Sequence, residues 1–219
     1  MSQLIFQFPF KTTYYEKDFY VSENNFSAYK LIESWPNWTQ KQINIYGPSG
    51  CGKTHLSKIL EKKINSMLVD ASNLNNEILK KLNDKECLII DNYFSNIDEK
   101  LLYSIINQSN QLNQSIVINS LIPIKKIKIS LNDLKSRFVS FLDLGINLPT
   151  DDLIRVIITK YFSDKQIAVN AKLLEFILKN IERSYENIFN FIKEIDKESL
   201  STGKSININL IKKVLNNNE

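Results

Sequence analysis

One eight-residue segment of the sequence has the spacing of a phosphate-binding loop. Residues 47–54 read GPSGCGKT, a complete G-x-x-x-x-G-K-[ST] motif between a β-branched run and a helical pattern. Glycines let backbone amides turn toward phosphate oxygens, and a helix that begins at the loop adds a favourable dipole. We expect Lys53 to neutralise the β- and γ-phosphates of ATP or ADP, and the Thr54 hydroxyl to bind Mg²⁺. The nucleotide-binding residues predicted here are Gly47, Pro48, Ser49, Gly50, Cys51, Gly52, Lys53, Thr54 and the adjoining His55.

A continuous apolar run that ends in an acid predicts the other half of the same site. Residues 87–91 read CLIID, which is typical of a strand buried on both faces with Asp91 at its carboxyl end. In this position Asp91 would help to hold the Mg²⁺ of a bound nucleotide. The next residue is Asn92, whose amide can orient a water molecule but cannot take its proton. The sequence therefore predicts nucleotide binding with weak or absent ATPase activity.

Strand-like and helix-like segments alternate through the first two-thirds of the chain, which predicts a parallel sheet with helical crossovers. The strands are predicted at residues 43–46, 67–69, 87–90, 115–118 and 138–142. After Leu148-Pro149 the pattern is helical only, and Thr150, Asn170 and Ser184 stand at N-cap positions. We expect an N-terminal arm over residues 1–12, an α/β domain over 13–149 and a small helical lid domain over 150–219.

Composition excludes several classes of protein. The chain has 219 residues, of which 43% are hydrophobic and 24% are charged, as in an ordinary soluble globular protein. No apolar stretch is long enough for a membrane span, and the N-terminus does not read as a secretory signal. With two cysteines and one histidine, neither a disulfide scaffold nor a histidine-rich metal centre is expected. These features favour a cytoplasmic location. The net charge of +4 permits contact with nucleic acid without demanding it.

Several segments together resemble the AAA+ family, and within it the branch that contains the replication initiator DnaA and Hda, a regulator that inactivates DnaA. The segments that carry this resemblance are DFYVS at 18–22 with Asn25 and Ala28, WPNW at 35–38, GPSGCGKTHL at 47–56, IDN at 90–92 and LNDLKSRF at 131–138. The resemblance covers about residues 3–215. It implies an α/β AAA+ P-loop domain with a five-stranded parallel sheet, followed by a helical lid.

The resemblance also assigns roles to two arginines. Arg137 lies in the segment that resembles the box holding the arginine finger of AAA+ proteins, so it is expected to act in trans on a neighbour's nucleotide. The alternative is a structural arginine that caps the preceding helix or pairs with an acid. The nucleotide-sensing arginine of the DnaA lid aligns best with Glu186, and Arg183 lies one turn earlier. Either Arg183 substitutes from this shifted position, or the lid does not read the γ-phosphate. The acid that follows the fourth strand in relatives is also missing, because Asn119 and Ser120 carry only amide and hydroxyl groups.

The N-terminal arm resembles a peptide that binds the DNA sliding clamp. In the sequence QLIFQF, a glutamine is followed by leucine and aromatic residues of the kind that fill an apolar pocket. The clamp-binding residues implied are Gln3, Leu4, Phe6 and Phe8. Hda-type proteins carry such a peptide in this place. A frayed apolar terminus or an edge strand is the alternative.

Taken together, the resemblance implies a negative regulator of DNA replication initiation. The expected protein binds ADP or ATP with Mg²⁺, docks on the sliding clamp (the β subunit of the polymerase) and stimulates ATP hydrolysis by DnaA. The sequence leaves no room for the helicase-interacting and DNA-reading domains of a full initiator, so we expect the Hda type, without base-specific DNA binding. Self-association is compatible with this interpretation. A DnaC-like ATPase that loads helicase, and a non-catalytic DnaA-family adaptor, are the alternatives.

Overall fold

The computed structural model describes residues 16, 19–94, 97–165, 167, 169–202 and 206–216. These residues fall into two compact units, a sheet unit within Tyr14–Asn147 and a helical unit within Leu148–Glu219. Among the helices of this part of the chain, none combines the length and the apolar character that a membrane crossing requires.

The sheet unit alternates strands with helices, as the sequence predicts. Its elements are α1 (Phe26–Glu33), β1 (Gln42–Tyr46), α2 (Lys53–Lys63), β2 (Ser66–Asp70), α3 (Glu77–Lys81), β3 (Cys87–Tyr93), α4 (Glu99–Gln111), β4 (Ser115–Ser120), α5 (Asn132–Val139) and β5 (Leu142–Gly145). The five strands form one sheet in the order β2-β3-β4-β1-β5, and every pairing is parallel. The predicted five-stranded parallel sheet is confirmed.

This strand order determines which loops meet. In a parallel sheet all carboxyl ends lie at one edge, so the segments that follow β1, β4 and β3 emerge side by side there. The register pairs Ile45 of β1 with Asn119 of β4. The first turn of the loop after β1 is fastened to the same edge, since the Gly47 amide donates to the Ser120 carbonyl at 3.2 Å.

The core of the sheet unit explains the apolar sequence of its central strands. Residues 87–91 of β3 and all of β4 are buried, with Ile90 and Ile118 fully inaccessible to solvent. Both strands have neighbours on each side and helices packed against the sheet, so no position before the carboxyl edge of β3 faces water. Ile90 and Ile118 belong to one buried hydrophobic cluster, which also includes Leu102 of α4 and Phe138 of α5.

The predicted fifth strand over residues 138–142 is wrong. Phe138 lies in the last turn of α5, and β5 begins four residues later, at Leu142. Leu134 and Phe138 are both buried, whereas Val139 is 67% exposed. Burial at i and i+4 is the helical period, and it shows that the phenylalanine packs from a helix rather than from a strand. The aromatic and β-branched composition of residues 138–142 concealed this spacing.

The helical pattern predicted after Pro149 is found as four helices among the described residues of the helical unit. They are α6 (Asp151–Asp164), α7 (Ala171–Asn180), α8 (Tyr185–Thr202) and α9 (Ile208–Asn216). The Thr150 hydroxyl accepts a hydrogen bond from the Leu153 amide and so caps α6. The Asn170 side chain accepts from the Leu173 amide and caps α7. The Ser184 hydroxyl accepts from the Asn187 amide in the same manner. The apolar faces of these helices form a core of their own, separate from that of the sheet.

A buried amide in the middle of β1 holds the loop after β4. Asn44 is fully buried, and its Nδ2 donates to the Ile118 carbonyl and to the Ser120 hydroxyl, both at 2.8 Å. Its Oδ1 accepts from the Ile124 amide at 2.9 Å. Since buried polar groups are stable only when they are paired, these three bonds fix the path of the chain immediately beyond Asn119.

We expect Asn44→Ala to lower the free energy of unfolding by about 2–4 kcal/mol, because the buried carbonyl, hydroxyl and amide lose their partner together. Urea denaturation of the variant and of the wild type measures the change. Ser120→Ala is the matched control, since it removes one of the three bonds and is expected to cost less. Equal stability of Asn44→Ala and wild type would contradict the structural role of this amide.

Candidate nucleotide-binding site

The loop between β1 and α2 adopts its shape because of its glycines. Gly50 and Gly52 have φ angles of +77° and +100°, which side-chain-bearing residues rarely adopt. Gly47 is required for a different reason: a Cβ there would lie 2.6 Å from the carbonyl oxygen of Ile146. Gly52 immediately precedes α2, so the loop delivers its backbone to the N-terminus of that helix.

The loop lysine is held against its own loop. The Lys53 ammonium donates to the carbonyls of Gly47 at 2.7 Å and Pro48 at 2.9 Å, and it lies 3.6 Å from the Cys51 sulfur. Lys53 is buried although no carboxylate is among these partners. A phosphate group would give this ammonium the anionic partner that the carbonyls replace only in part.

The Cys51 thiol is buried beside this ammonium. Burial raises the pKa of the thiol, and the nearby Lys53 offsets this only in part. The thiol is therefore protonated at neutral pH, and its role in the loop is to fill space.

A hydrogen-bonded cluster joins α2 to the carboxyl ends of β3 and β4. The Thr54 hydroxyl donates to Oδ2 of Asp91 at 2.7 Å, and the Asn119 amide donates to Oδ1 of Asp91 at 2.8 Å. The same Asn119 amide donates to the Ser57 hydroxyl at 2.7 Å. Asp91, Asn119 and Ser57 are all buried. The two predicted Mg²⁺ ligands are thus in contact, and each carboxylate oxygen has a donor.

The roles of Asn119 and Ser57 in this cluster were not predicted. From the sequence, Asn119 was notable only for lacking an acid. In the structure it supplies the donor that orients Asp91, which an acid could do only if it were protonated. Ser57 lies one helical turn after Thr54, and this spacing is the signal that could have placed both hydroxyls on one face of α2.

These oxygen donors suit Mg²⁺. Hydroxyl and carboxylate oxygens are the ligands that this cation prefers, and it is commonly bound by one or two protein groups together with nucleotide phosphates. The described residues contain no group of three or more His, Cys, Asp or Glu side chains that could hold a metal ion by themselves. Thr54 and Asp91 would therefore hold Mg²⁺ together with a nucleotide.

The amide after Asp91 faces a carboxylate on the neighbouring strand. Asn92 has a left-handed backbone conformation, with φ at +56°, and its Nδ2 donates to Oδ2 of Asp70 at 2.7 Å. The other oxygen of Asp70 accepts from the amide and hydroxyl of Ser72. These bonds from Ser72 and Asn92 hold the pKa of the Asp70 carboxyl below its usual range.

Aromatic rings line the α2 side of the loop. Phe19 stacks on Tyr29 with ring centroids 5.7 Å apart, and it meets the ring of His55 edge to face at 5.3 Å. A Cβ on Gly52 would lie 3.0 Å from the Phe19 ring. The sequence predicts His55 at the nucleotide site, and the structure places it in this aromatic group, next to the loop.

The three arginines differ in their surroundings. Arg183 forms a two-pronged ion pair with Asp151 at 2.9 and 3.3 Å, and Arg155 pairs with Glu175 at 2.7 Å. Arg137, on the exposed side of α5, makes no side-chain hydrogen bond or ion pair within the part of the chain that the structure describes. The alternative of a structural Arg137 paired with an acid therefore has no support among these residues.

The end of α5 lies near the amino end of β1, whereas the P-loop follows the carboxyl end of that strand. Ser140, three residues after Arg137, bonds to Gln40 and Gln42 at the amino end of β1. The P-loop follows the carboxyl end of β1, which spans Gln42–Tyr46 and is about 13 Å long at ~3.3 Å per residue. The end of α5 at Ser140 therefore lies by the amino end of β1, and the exposed Arg137 one turn earlier is available to another molecule.

The remaining predicted site residues, Gln3, Leu4, Phe6 and Phe8 of the arm, lie outside the described residues. Their role in clamp binding stays a prediction.

Comparison with known sequences finds initiator proteins. The chain is 27% identical over 215 residues to the chromosomal replication initiator protein DnaA of Buchnera aphidicola (subspecies Cinara cedri), covering 87% of this chain and 49% of that protein. It is 26% identical to DnaA of Borreliella afzelii, covering 96% of this chain and 54% of the relative. The chain spans about half the length of these relatives. A family model described as RNA helicase matches residues 43–139.

Comparison with solved structures finds the same architecture. Domain III of the Thermotoga maritima replication initiation protein DnaA superposes with a TM-score of 0.78 at 20% identity, covering 96% of this chain and 98% of that one. The chain has the fold of this DnaA domain. AMPPCP-bound DnaA from Aquifex aeolicus gives a TM-score of 0.71 at 21% identity, covering 85% and 66%. The RuvB branch migration motor of T. maritima gives 0.60 at 22%, covering 80% and 61%.

We expect Gly52→Ala to destabilise the protein by about 1–2 kcal/mol, because a side chain is strained at this positive φ. We expect it also to weaken nucleotide binding, since Gly52 shapes the end of the loop. Urea denaturation and titration with a fluorescent ATP analogue measure the two effects. The double variant Gly52→Ala, Phe19→Leu relieves the ring contact but not the backbone strain, so it should keep most of the loss. Full recovery in the double variant would show that the contact, not the dihedral angle, is limiting.

Proposed function

We propose that this protein is a nucleotide-bound regulator of DNA replication initiation, which docks on the sliding clamp and stimulates ATP hydrolysis by DnaA. In this proposal the P-loop nucleotide is a structural ligand. The hydrolysed ATP belongs to DnaA, and Arg137 completes the DnaA site in trans. The result is negative regulation, because DnaA loses its ATP.

The exposed, unpaired state of Arg137 among the described residues carries the proposal. An arginine finger must reach a foreign nucleotide with a free guanidinium, whose fixed fork of donors matches phosphate oxygens. Arg137 suits this role, since its side chain is exposed and has no hydrogen bond or ion pair among the described residues. Arg155 and Arg183, by contrast, are already paired with carboxylates.

The choice of DnaA as partner is supported by likeness. The relatives found by sequence are DnaA proteins, and DnaA is among the solved structures with the same fold. Two similar domains present similar faces, so a DnaA-like chain is suited to take the place of a neighbouring DnaA molecule.

The chain's own nucleotide site is suited to holding ATP or ADP rather than to rapid turnover. Lys53 offers a buried ammonium to phosphate, and Thr54 with Asp91 offers oxygen ligands to Mg²⁺. When bound, Mg²⁺ neutralises phosphate charge. The amide of Asn92 is bonded to Asp70 and cannot accept a proton from water. This arrangement favours the regulator over a DnaC-like ATPase, for which substantial turnover by the isolated protein is required.

We expect Arg137→Ala to lower the stimulated rate of ATP hydrolysis by DnaA at least about 10³-fold, since arginine fingers contribute 10³–10⁵ in rate in GTPases. The measurement is single-turnover hydrolysis of DnaA-bound ATP with clamp loaded on DNA. Arg155→Ala is the control, because it removes a guanidinium of the helical unit that is already paired with Glu175, and it should stimulate as well as wild type. Undiminished stimulation by Arg137→Ala would leave the non-catalytic adaptor as the better interpretation.

We expect the double variant Gln3→Ala, Leu4→Ala to lose clamp binding, because these residues are the first anchors of the proposed clamp peptide. Surface plasmon resonance with immobilised clamp measures the affinity, which should be micromolar or tighter for wild type. Substitution of Asn75, an exposed residue of the sheet unit, by alanine provides the control. If wild type itself does not bind the clamp, the proposed docking step is wrong, while the effect on DnaA can still be assayed in solution.

A further inference from the structure

The neighbouring carboxyl ends of β2 and β3 carry one acid and one amide in direct contact. The register places Asp70 of β2 beside Asp91 of β3, and the residue after Asp91 turns back to bond with Asp70. This contact joins Oδ2 of Asp70 to Nδ2 of Asn92 at 2.7 Å. In AAA+ proteins the position after the strand acid usually carries a second acid. Here that position holds the amide, and the acid stands one strand away.

The Asp70 carboxylate leaves no place for a second carboxylate at position 92. Its Oδ1 is occupied by two donors from Ser72, and its Oδ2 accepts the Asn92 amide. An acid in place of Asn92 would bring two carboxylate oxygens to hydrogen-bond distance with no proton between them. Two like charges that close repel, and since this pair is exposed to solvent, the new carboxylate would turn away from Asp70 into water.

We propose that Asp70 is a positioning residue that binds the Asn92 side chain, and that this carboxylate–amide pair keeps the position after Asp91 free of a base. The inference rests on the proposed binding of nucleotide and deepens it, since it names the residue behind the weak hydrolysis. In this view the carboxylate at position 70 favours an amide over an acid at position 92, so the residue types at the two positions are coupled.

The geometry predicts that the pair can be exchanged. In the double variant Asp70→Asn, Asn92→Asp, the new amide on β2 keeps an oxygen for the two Ser72 donors and points its nitrogen at the new carboxylate. All the hydrogen bonds of the pair are thus conserved with the direction of one reversed. Residue 92 has a φ of +56°, and aspartate, like asparagine, tolerates this region. The exchange moves the carboxylate onto β3, next to Asp91.

The first experiment compares ATP hydrolysis by three proteins: wild type, Asn92→Asp and the exchanged double variant. Each is first titrated with ATP to measure its Kd, and turnover is measured at saturation. A positioned general base contributes about 10²–10⁴ in rate, so we expect the exchanged variant to turn over at least about 10-fold faster than wild type. Asn92→Asp alone should gain less, because Asp70 repels its carboxylate. Lys53→Ala in the exchanged background should abolish the gain, which excludes a contaminating ATPase.

The second experiment needs no nucleotide. Thermal unfolding at pH 7.5 and low salt should show a lower Tm for Asn92→Asp than for wild type, by about 2–4 °C. The exchanged variant should recover most of this loss, since its pair again contains one carboxylate and one amide. A structural role of Asp70 alone would not restore stability and raise kcat in the same double variant.

The outcomes separate the inference from the proposed function. If the exchanged variant binds ATP and hydrolyses it no faster than wild type, or if Asn92→Asp alone matches it in both Tm and turnover, the inference is wrong and nucleotide binding still stands. If wild type does not bind nucleotide, the proposed structural role of the nucleotide fails. The Tm series then decides whether Asp70 and Asn92 are coupled: recovery in the exchanged variant supports the pair, and absence of recovery overturns it.

Discussion

The contact between Thr54 and Asp91 is the constraint on which the site depends. It joins the helix after β1 to the end of β3 over a distance of 2.7 Å, although β4 lies between the two strands. The contact therefore requires the strand order, the depth at which β3 ends and the start of α2 to agree. Asn119, at the end of the intervening β4, closes the gap by donating to the same carboxylate. A parallel sheet brings these three carboxyl ends together, and the buried bonds among them keep them there.

Much of the fold could be predicted because its sequence signals are local. The P-loop spacing of residues 47–54, the apolar run that ends in Asp91 and the helical caps at Thr150 and Asn170 each occupy a few consecutive residues. The prediction of a strand at Phe138 was wrong because the aromatic and β-branched residues around it are typical of a strand. The helical period of its burial is visible only in the packed structure. The bond between Asp70 and Asn92 also could not be predicted, since it joins residues 22 positions apart through a pairing of strands.

The nucleotide site lacks a base after Asp91, and Arg137 lacks an acidic partner among the described residues. The site has a buried cation, oxygen ligands and an amide in place of a base, so it is suited to retaining a nucleotide. Arg137 is an exposed cation on α5 that has no ion pair among the described residues. In the proposed function, a chain with both features presents one half of an active site, while a nucleotide in its own P-loop would act as a structural ligand. This division is consistent with a regulator whose chemistry takes place on its partner.

The unpaired state of Arg137 has a kinetic consequence for encounter with any anionic surface. A guanidinium already engaged with an acid must break that ion pair before it can dock, and its field at long range is partly cancelled. Arg137 has no ion pair to break among its described neighbours, so its charge can attract a partner during diffusion. Association guided by such a charge is fast at low ionic strength and slows as the Debye length shrinks to about 8 Å near 0.15 M salt. Salt should therefore act on the rate of association more than on the rate of dissociation.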